Sequence, residues 1–274
     1  MNSHPTDHQF FKMTGSGNDF VVFSDGDAGA FEDPETIRSL SARGTGVGAD
    51  GVVFLEPAGQ GDINMRYYNS DGSEAALCGN ASLCSTRLAV ELGLAQGGGF
   101  ILNTAAGALR ARIRDGLPEV DLDPVFDVKP VSDLGRRHDE SRVGYARVGV
   151  PHVVIASKDL EAAEVTVRGR ELRSHPDLGP DGANINFVGT RHDGSFAYRT
   201  YERGVEAETL ACGTGAVATA VLLSIWGQSG HETTLWTRSG LPLVVTLKRE
   251  GQAWLASLRG EGRIVYEGRL KELR

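Results

Sequence analysis

The 274-residue sequence contains only three cysteines, at positions 78, 84 and 212, and no CxxC pair. Zinc ribbons and thioredoxin-type redox motifs need such pairs, so neither is indicated. Few cysteines in a chain of this size favour a reducing compartment, and the sequence predicts a cytoplasmic protein. No apolar run approaches the roughly 20 residues that a membrane-spanning helix requires. The polar residues 1–9 lack the apolar core of a signal peptide.

The sequence also has no excess of basic residues. Its formal net charge is −8, so nucleic acid is not an expected partner. Hydrophobic residues make up 40% of the chain and charged residues 23%. This composition is typical of a globular protein that buries a sizeable core without disulfides or metals. We therefore expect a globular protein that does not span a membrane and whose core needs neither disulfides nor metals.

Three short motifs of the first half recur in the second half in the same order. A single match could arise by chance, but three at nearly one separation predict two halves of similar fold. Each half would then contribute one Cys-Gly turn to a shared site. The pairs, with their separations, are residues 17–23 and 149–155 (132), 48–50 and 182–184 (134), and 78–80 and 212–214 (134).

The repeat predicts how the chain is divided. We expect residues 1–124 to form the first half and residues 125–263 to form the second. Residues 264–274 are expected to return to the first half as a strand. A linker is predicted within residues 121–131, where two prolines interrupt the pattern.

Alternating and apolar segments predict a strand-rich fold in both halves. One helix is predicted directly after each Cys-Gly pair, over residues 80–94 and 214–226, the first ending at Gly93 or at the glycines 97–99. A shorter helix is predicted over residues 34–42, with Asp33 as N-cap and Pro34 at its first position. The predicted strands are residues 9–13, 19–23, 52–56, 64–68, 109–113, 145–148, 153–156, 164–167, 186–188, 196–201 and 243–247.

Residues 46–51 fit the pattern G-x-G-x-x-G. In a dinucleotide-binding fold this pattern follows a strand and begins a helix. Here a predicted helix precedes the glycines and a predicted strand follows them. We therefore reject a nucleotide-binding interpretation.

Cys78 and Cys212 both stand where strand-like residues give way to a predicted helix. The unpaired amides and partial positive charge at a helix start lower a thiol pKa and bind a carboxylate. Two such turns at one cavity would let one thiolate remove the α-proton of an amino acid while the other thiol protonates the opposite face. A cysteine is more often a buried apolar residue. That interpretation is assigned to Cys84, and spacing alone leaves the two interpretations of Cys78 and Cys212 equally open.

Eight segments carry a resemblance to a known family, at residues 11–20, 46–51, 69–74, 78–80, 151–152, 184–188, 202–204 and 211–215. With these motifs the sequence resembles the diaminopimelate epimerase family along nearly its full length. The resemblance implies an α/β (α+β) fold of two pseudo-symmetric domains, each a barrel-like, mostly antiparallel sheet around a central helix, with the active site in the cleft between them. It also implies a homodimer, no PLP, metal or other cofactor, and a place in the biosynthesis of lysine and peptidoglycan precursors.

The resemblance further implies the role of each site residue. Cys78 and Cys212 would be the base and acid that interconvert LL- and meso-diaminopimelate. The backbones of Gly79, Asn80, Gly213 and Thr214 would hold the reacting carboxylate. The other expected substrate contacts are Asn18, Asn69, Asn184, Glu202 and Arg203, with His152 in support.

Simpler interpretations exist for several of these residues taken singly. Asn18 and Asn69 are also typical turn formers. His152 could be a core histidine, and Arg203 could form a surface ion pair with Glu202.

Four details depart from the family pattern. Ala81-Ser82-Leu83 stands where glycine, alanine and arginine are more usual. Val150 precedes Pro151 where many members have asparagine, and Gly51 stands where some have glutamine. The segment between Glu202 and Cys212 is one residue longer than the commonest form.

Three other functions stay open from the sequence. A related two-cysteine racemase of another amino acid would share the chemistry, although Glu202-Arg203 and Asn69 disfavour a substrate with no distal ionic group. A thiol redox sensor would use a Cys78–Cys212 disulfide and show no turnover when reduced. A binding protein would retain the ligand without exchanging its α-proton.

Overall fold

The computed structural model describes residues 8–24, 31–130 and 134–270. Parts of three segments discussed above lie outside the described residues. They are residues 1–7 at the N-terminus, residue 131 of the predicted linker and residues 271–274 at the C-terminus. The chain divides into two compact units, Met1–Val120 with Gly260–Arg274, and Asp121–Arg259. Among the described residues, no helix is long and apolar enough to cross a membrane.

The protein is a mixed α/β structure with many strands and few helices. In chain order the elements are β1 (His8–Gly15), β2 (Asn18–Phe23), α1 (Pro34–Ser41), β3 (Gly51–Gly59), β4 (Asp62–Asn69), α2 (Gly79–Glu91), β5 (Phe100–Thr104), β6 (Gly107–Arg114), β7 (Leu117–Val125), β8 (Val128–Lys129), β9 (Glu140–Val148), β10 (Val150–Ser157), α3 (Val165–Arg173), β11 (Asn184–Thr190), β12 (Phe196–Glu202), β13 (Ala207–Thr209), α4 (Gly213–Ile225), β14 (Glu232–Trp236), β15 (Pro242–Glu250), β16 (Ala253–Arg259) and β17 (Arg263–Leu270).

The first unit follows a simple order of strand pairings. β1 pairs antiparallel with β2, β2 parallel with β3, and β3 antiparallel with β4. β4 then pairs parallel with β5, and β5, β6 and β7 follow as antiparallel neighbours. Since parallel neighbours need a crossover connection, α1 joins β2 to β3 and α2 joins β4 to β5. β17 returns to pair antiparallel with β1.

The second unit repeats this order. β9 pairs antiparallel with β10, β10 parallel with β11 across α3, and β11 antiparallel with β12. β12 pairs parallel with β14 across α4, and β14, β15 and β16 follow as antiparallel neighbours. The short β13 and β8 add to β12 and β9. The repeat in the sequence is therefore a repeat of topology, in which α2 and α4 hold the same position.

The helices that follow the two Cys-Gly pairs are enclosed by strands of their own units. α2 contacts β1, β2, β3, β4, β6 and β17, and α4 contacts β9, β10, β11, β15 and β16. In α4 every residue except Thr214, Ser224 and Ile225 is buried. A helix that is apolar all round is stable only when it is surrounded in this way.

Local sequence signals explain where the helices begin and end. The Asp33 carboxylate accepts hydrogen bonds from the backbone N–H of Glu35 (3.1 Å) and Thr36 (3.0 Å), and Pro34 is the first residue of α1. This is the predicted N-cap. At the end of α2, Gly93 has a φ of 70°, a conformation that glycine adopts without strain, so the predicted Gly93 cap is confirmed.

The strand predicted over residues 164–167 is wrong, because Glu164 is the N-cap of α3 and residues 165–167 form its first turn. The alternation Glu-Val-Thr-Val favours a strand, but Val165, Arg168, Gly169 and Leu172 are buried at helical spacing. Gly169 permits close packing, since a Cβ there would lie 2.5 Å from side-chain atoms of Tyr201 on β12. Tertiary packing therefore decides the structure of this segment.

The segment 121–131, where the linker between the halves is predicted, is largely strand. β7 continues to Val125, and β8 follows at Val128–Lys129. The ladder between β7 and β6 ends at Val120. Pro124 lies beyond that ladder, where its missing N–H costs no hydrogen bond to β6.

Candidate active site

Cys78 and Cys212 are the N-cap residues of α2 and α4. Their backbones are nearly identical, with φ −136° and ψ 118° at Cys78 and φ −133° and ψ 112° at Cys212. Their carbonyl oxygens accept the first helical hydrogen bonds, from Ser82 and Ala216, both at 2.9 Å. Neither side chain caps its own helix. The first amides of both helices lie beside a thiol, as the sequence predicted.

The Cys212 thiol lies in a buried polar environment. Cys212 is only 6% exposed, and its Sγ lies 3.6 Å from Oγ1 of Thr214. Burial raises its pKa well above the ordinary value, and the negative charge of Glu202 raises it further. Hydrogen bonds from Thr214 and from the backbone N–H of Gly215 act in the opposite direction. Cys212 is therefore a protonated thiol at neutral pH.

The prediction that a helix start lowers the thiol pKa is thus wrong for Cys212. Removal of the thiol from water disfavours the thiolate more than the helix amides favour it. The carboxylate of Glu202 adds to the same effect. A raised pKa suits a proton donor, because the thiol keeps its proton until a reaction removes it.

His152 occupies a fully buried position on β10 and belongs to a polar network. Its Nε2 lies 3.1 Å from Thr214 Oγ1, and its Nδ1 lies 3.2 Å from Asn186 Nδ2. Burial lowers the pKa of His152 to about 3, with a smaller contribution from the positive charge of Arg203. The imidazole is therefore neutral at physiological pH.

Asn184, Glu202 and Arg203 lie together at the ends of β11 and β12. Oδ1 of the buried Asn184 accepts a hydrogen bond from the Arg203 backbone N–H at 2.8 Å. Nη1 of Arg203 donates to the carbonyl of Asp181 at 3.2 Å. Glu202 accepts a hydrogen bond from the Thr209 hydroxyl. Asn184 thus fixes the backbone of Arg203 by a hydrogen bond.

The first unit brings Asn18 and Asn80 together beside Cys78. Asn80, at the second position of α2, donates through Nδ2 to Asn18 Oδ1. Asn18 Nδ2 donates in turn to a carboxylate oxygen of Asp50 at 3.1 Å, which fixes both amide orientations. Asn80 Oδ1 is then a buried acceptor without a hydrogen-bond partner among the described residues. Such an acceptor is costly unless a donor reaches it.

A cluster of ion pairs holds the two aspartates next to Asn18 in place. Lys12 Nζ lies 2.6 Å from Asp19 Oδ2 and also donates to the Gly48 carbonyl. Arg43 bridges Asp19 (2.6 Å) and Asp50 (2.9 Å). Each aspartate accepts the backbone N–H of the other, so the start of β2 is joined to the segment before β3 beside Asn18.

Asn69 lies at the end of β4 and is held by two hydroxyl groups. Its Oδ1 accepts from the Tyr67 hydroxyl and its Nδ2 donates to Ser73 Oγ, both at 3.1 Å. Tyr67 also explains Gly51, because a Cβ at position 51 would lie 2.5 Å from the tyrosine ring. The glutamine that some family members carry there would collide with this ring.

The structure therefore gathers the expected residues into two groups. Cys78, Gly79, Asn80 and Asn18 lie together in the first unit, with Asn69 at the end of a neighbouring strand. The second group comprises His152, Asn184, Glu202, Arg203, Cys212, Gly213 and Thr214.

Sequence reasoning missed Asn186, Tyr198 and Thr200. Asn186 and Thr200 are direct partners across β11 and β12. Tyr198 and Thr200 point to one face of β12, since strand residues two apart share a face. The available signal was polar side chains at buried strand positions, at Asn186 on β11 and at Tyr198 and Thr200 on β12. No group of three or more His, Cys, Asp or Glu side chains suited to a metal occurs in the part of the chain that the structure describes.

Comparison with known proteins gives the family. The family model described as "Diaminopimelate epimerase" matches residues 10–125 and 144–265. A "Diaminopimelate epimerase" of Gemmatimonas aurantiaca is 48% identical over 277 residues, covering 96% of this chain and 99% of the relative.

Two solved structures share the fold at low sequence identity. A phenazine biosynthesis protein of the PhzF family from Bacillus anthracis has a TM-score of 0.75 and 17% identity, covering 97% of this chain and 99% of the other. A hydroxyproline epimerase from Agrobacterium vitis has a TM-score of 0.66 and 20% identity, covering 96% of this chain and 91% of the other. At these identities the likeness shows the fold alone.

The predicted fold class is confirmed by these structures and by the repeated topology. The family model and the similar relative show that the chain is an isomerase of the amino-acid epimerase class. Within that class, the chain belongs to the diaminopimelate epimerase family.

Proposed function

We propose that this protein interconverts LL- and meso-diaminopimelate by moving the α-proton with Cys78 and Cys212. The observation that carries the proposal is the equivalence of these cysteines. Each is the N-cap of the enclosed helix in one of two units with the same order of strand pairings, and the two backbones agree within a few degrees.

The proposed reaction uses one thiolate and one thiol. The Cys78 thiolate takes the α-proton, so a C–H bond breaks and an S–H bond forms. The Cys212 thiol then gives its proton to the opposite face of the carbanion and becomes a thiolate. The raised pKa of Cys212 suits this donor role. The reverse reaction exchanges the two roles, and the proposed chemistry needs no cofactor.

Helix amides would stabilise the reacting carboxylate. The first N–H groups of α2 and α4, at Gly79, Asn80, Gly213 and Thr214, have no acceptor within their helices. They favour an anion, and favour it more as charge moves onto the carboxylate when the carbanion forms. The proposal requires both helix starts to meet the same substrate.

Polar side chains of both units would recognise the remainder of the substrate. The unpartnered Asn80 Oδ1 is suited to a donor such as an ammonium group of a bound amino acid. Arg203 is suited to a second carboxylate, which it can bind with two parallel hydrogen bonds. Asn18, Asn69, Asn184 and Glu202 would complete the contacts, with His152 behind Thr214.

The test is exchange of the α-proton of LL-diaminopimelate in D₂O under reducing conditions. Wild-type protein should incorporate deuterium and form the meso isomer. Cys78→Ala and Cys212→Ala should each lose nearly all conversion while remaining folded. The matched control is Cys84→Ala, because Cys84 is fully buried in α2 and burial raises its pKa, so it should retain most activity. Wild-type rates in either Cys78→Ala or Cys212→Ala would overturn the proposal.

A further inference from the structure

Four buried or half-buried side chains link the sheet of the second unit to Cys212. They lie on β10, β11, β12 and α4, and we name them the Cys212 relay. Thr200 Oγ1 lies 3.1 Å from Asn186 Oδ1, Asn186 Nδ2 lies 3.2 Å from His152 Nδ1, and His152 Nε2 lies 3.1 Å from Thr214 Oγ1. Thr214 Oγ1 then lies 3.6 Å from Cys212 Sγ. The members of the relay are Thr200, Asn186, His152 and Thr214.

The orientation of the Asn186 amide is determined by its other neighbours. Its Nδ2 lies 3.0 Å from the Val153 carbonyl oxygen, which can only accept a hydrogen bond. Its Oδ1 faces the Thr200 hydroxyl, which can donate. The side of Asn186 that faces His152 is therefore an N–H donor.

This orientation determines which atoms donate and which accept in the remaining hydrogen bonds of the relay. A donor at Asn186 requires His152 Nδ1 to be an acceptor without a proton. The imidazole is neutral because burial lowers its pKa to about 3, so its single proton resides on Nε2. Nε2–H donates to Thr214 Oγ1, and the Thr214 hydroxyl proton is then available for Cys212 Sγ.

We propose that Asn186 is a positioning residue that, through the tautomer of His152, holds the Thr214 hydroxyl as a hydrogen-bond donor to Cys212 Sγ. The purpose of the relay rests on the proposed function, since a donor stabilises the thiolate that remains after Cys212 has given up its proton. His152 in this arrangement is a neutral donor and accepts no proton from the thiol.

Other groups around Cys212 show why such a donor is needed. Glu202 opposes the thiolate by its negative charge and accepts a hydrogen bond from the thiol. The fully buried Tyr198 is a neutral phenol whose pKa is raised by burial and by Cys212. The positive charge of Arg203 acts on His152 and favours its neutral form. Thr214 and the Gly215 N–H are the groups that lower the Cys212 pKa.

The first experiment measures the rate at which iodoacetamide alkylates Cys212 at one mildly alkaline pH, followed by mass spectrometry of the Cys212 peptide. Thr214→Val keeps the side-chain volume and removes the hydroxyl, so alkylation should slow about tenfold or more, the value of a hydrogen bond to a charged acceptor. Thr214→Ser should react like the wild type. The matched control is Thr219→Val on the same helix, because the Thr219 hydroxyl is buried against the Gly215 carbonyl and lies outside the relay. Equal rates in Thr214→Val and wild type would overturn the proposal.

The second experiment reads the tautomer directly. In wild-type protein labelled with ¹⁵N-histidine, the His152 signals should show a protonated Nε2 and an unprotonated Nδ1. Asn186→Asp replaces the donor with an acceptor, so the proton should move to Nδ1 and Cys212 alkylation should slow as in Thr214→Val. A protonated Nδ1 in the wild type would refute the relay. Neither measurement requires turnover, so failure of the relay is distinguishable from failure of α-proton exchange.

Discussion

The phenol of Tyr198 makes two hydrogen bonds to the backbone of Cys212. Its hydroxyl donates to the Cys212 carbonyl at 2.8 Å and accepts from the Cys212 N–H at 2.9 Å. Tyr198 is 1% exposed and Cys212 is 6% exposed, so both hydrogen bonds are buried. One side chain on β12 therefore fixes the peptide groups on both sides of the N-cap, and with them the direction of the thiol.

Tyr198→Phe should impair both stability and activity. The buried N–H of Cys212 would lose its acceptor, so the free energy of unfolding should fall by about 1–3 kcal/mol. The thiol would also lose its fixed direction, and kcat should fall about tenfold or more. Urea unfolding and epimerase assays check the two effects.

Tyr201→Phe is the matched control for this substitution. Tyr201 is equally buried on the same strand, but its hydroxyl makes only a long 3.4 Å contact to Glu206. The control should stay within about 1 kcal/mol of the wild type. Equal effects of both substitutions would show that Tyr198 contributes packing alone.

Because of the buried His152, the free energy of unfolding should fall as the pH is lowered into the mildly acidic range. The pKa of His152 is lowered from 6.5 to about 3 in the folded protein. Below the higher of these values the unfolded chain takes up a proton that the folded chain does not, so stability falls as the pH falls. Between about pH 7 and pH 5 this one group should cost about 2 kcal/mol of unfolding free energy. Urea unfolding at both pH values measures the loss.

His152→Asn should remove that part of the pH dependence, since asparagine does not titrate. His138→Asn serves as control, because the His138 side chain is 99% exposed and has no buried environment to lose. The comparison uses the difference between the two pH values, so a general loss of stability in His152→Asn does not obscure it. An unchanged difference would mean that His152 titrates in the folded protein.

Gly215→Ala should disrupt the first turn of α4. A Cβ at position 215 would lie 2.3 Å from Asn186 Oδ1 and 3.3 Å from the Cβ of Cys212. Asn186 cannot retreat without breaking its hydrogen bonds, so kcat should fall about tenfold or more and the protein should be destabilised by about 1–3 kcal/mol. Gly230→Ala is the control, since no atom lies within 4 Å of a Cβ there. Wild-type activity in Gly215→Ala would show that Asn186 can shift without consequence.

Much of the fold was predictable where the signal is local. Asp33 and Pro34 placed α1, and the glycine after each N-cap cysteine placed α2 and α4. α3 was missed because its Glu-Val-Thr-Val start alternates like a strand, and only packing against Tyr201 decides the outcome. β5 and β14 were missed because each is only five residues long, although each pairs antiparallel over its whole length with the next strand.

In the candidate site, too, the features with a local sequence motif were predictable and those that depend on the fold were not. The cysteines, the asparagines and Arg203 are visible as motifs. The pKa of Cys212 was wrongly predicted, because desolvation depends on the surrounding fold rather than on the helix start. Asn186 and Thr200 carry no motif of their own. Their role arises from the register of β11 and β12, which places them opposite each other, with Asn186 against Gly215 of α4.

The last prediction concerns the substrate. Arg203 follows Glu202 at the end of β12, and its backbone is held by Asn184. Diaminopimelate carries a second amino-acid centre, whereas lysine lacks the distal carboxylate and proline lacks both distal groups. A site built for an ionic group rejects analogues without it, so kcat/KM should favour diaminopimelate about a thousandfold or more.

Arg203→Ala should remove most of this discrimination. We expect kcat/KM for diaminopimelate to fall about a hundredfold or more, because the distal carboxylate loses a bidentate hydrogen-bond partner. Arg203→Lys should recover only part of the loss, since an ammonium group cannot form the parallel pair of hydrogen bonds. Arg170→Ala, an exposed substitution on α3, is the control and should leave kcat/KM unchanged. The measurement is kcat/KM for each amino acid with reduced enzyme. Equal or better turnover of proline or histidine would refute the diaminopimelate assignment, while leaving the chemistry of Cys78 and Cys212 to be tested by α-proton exchange.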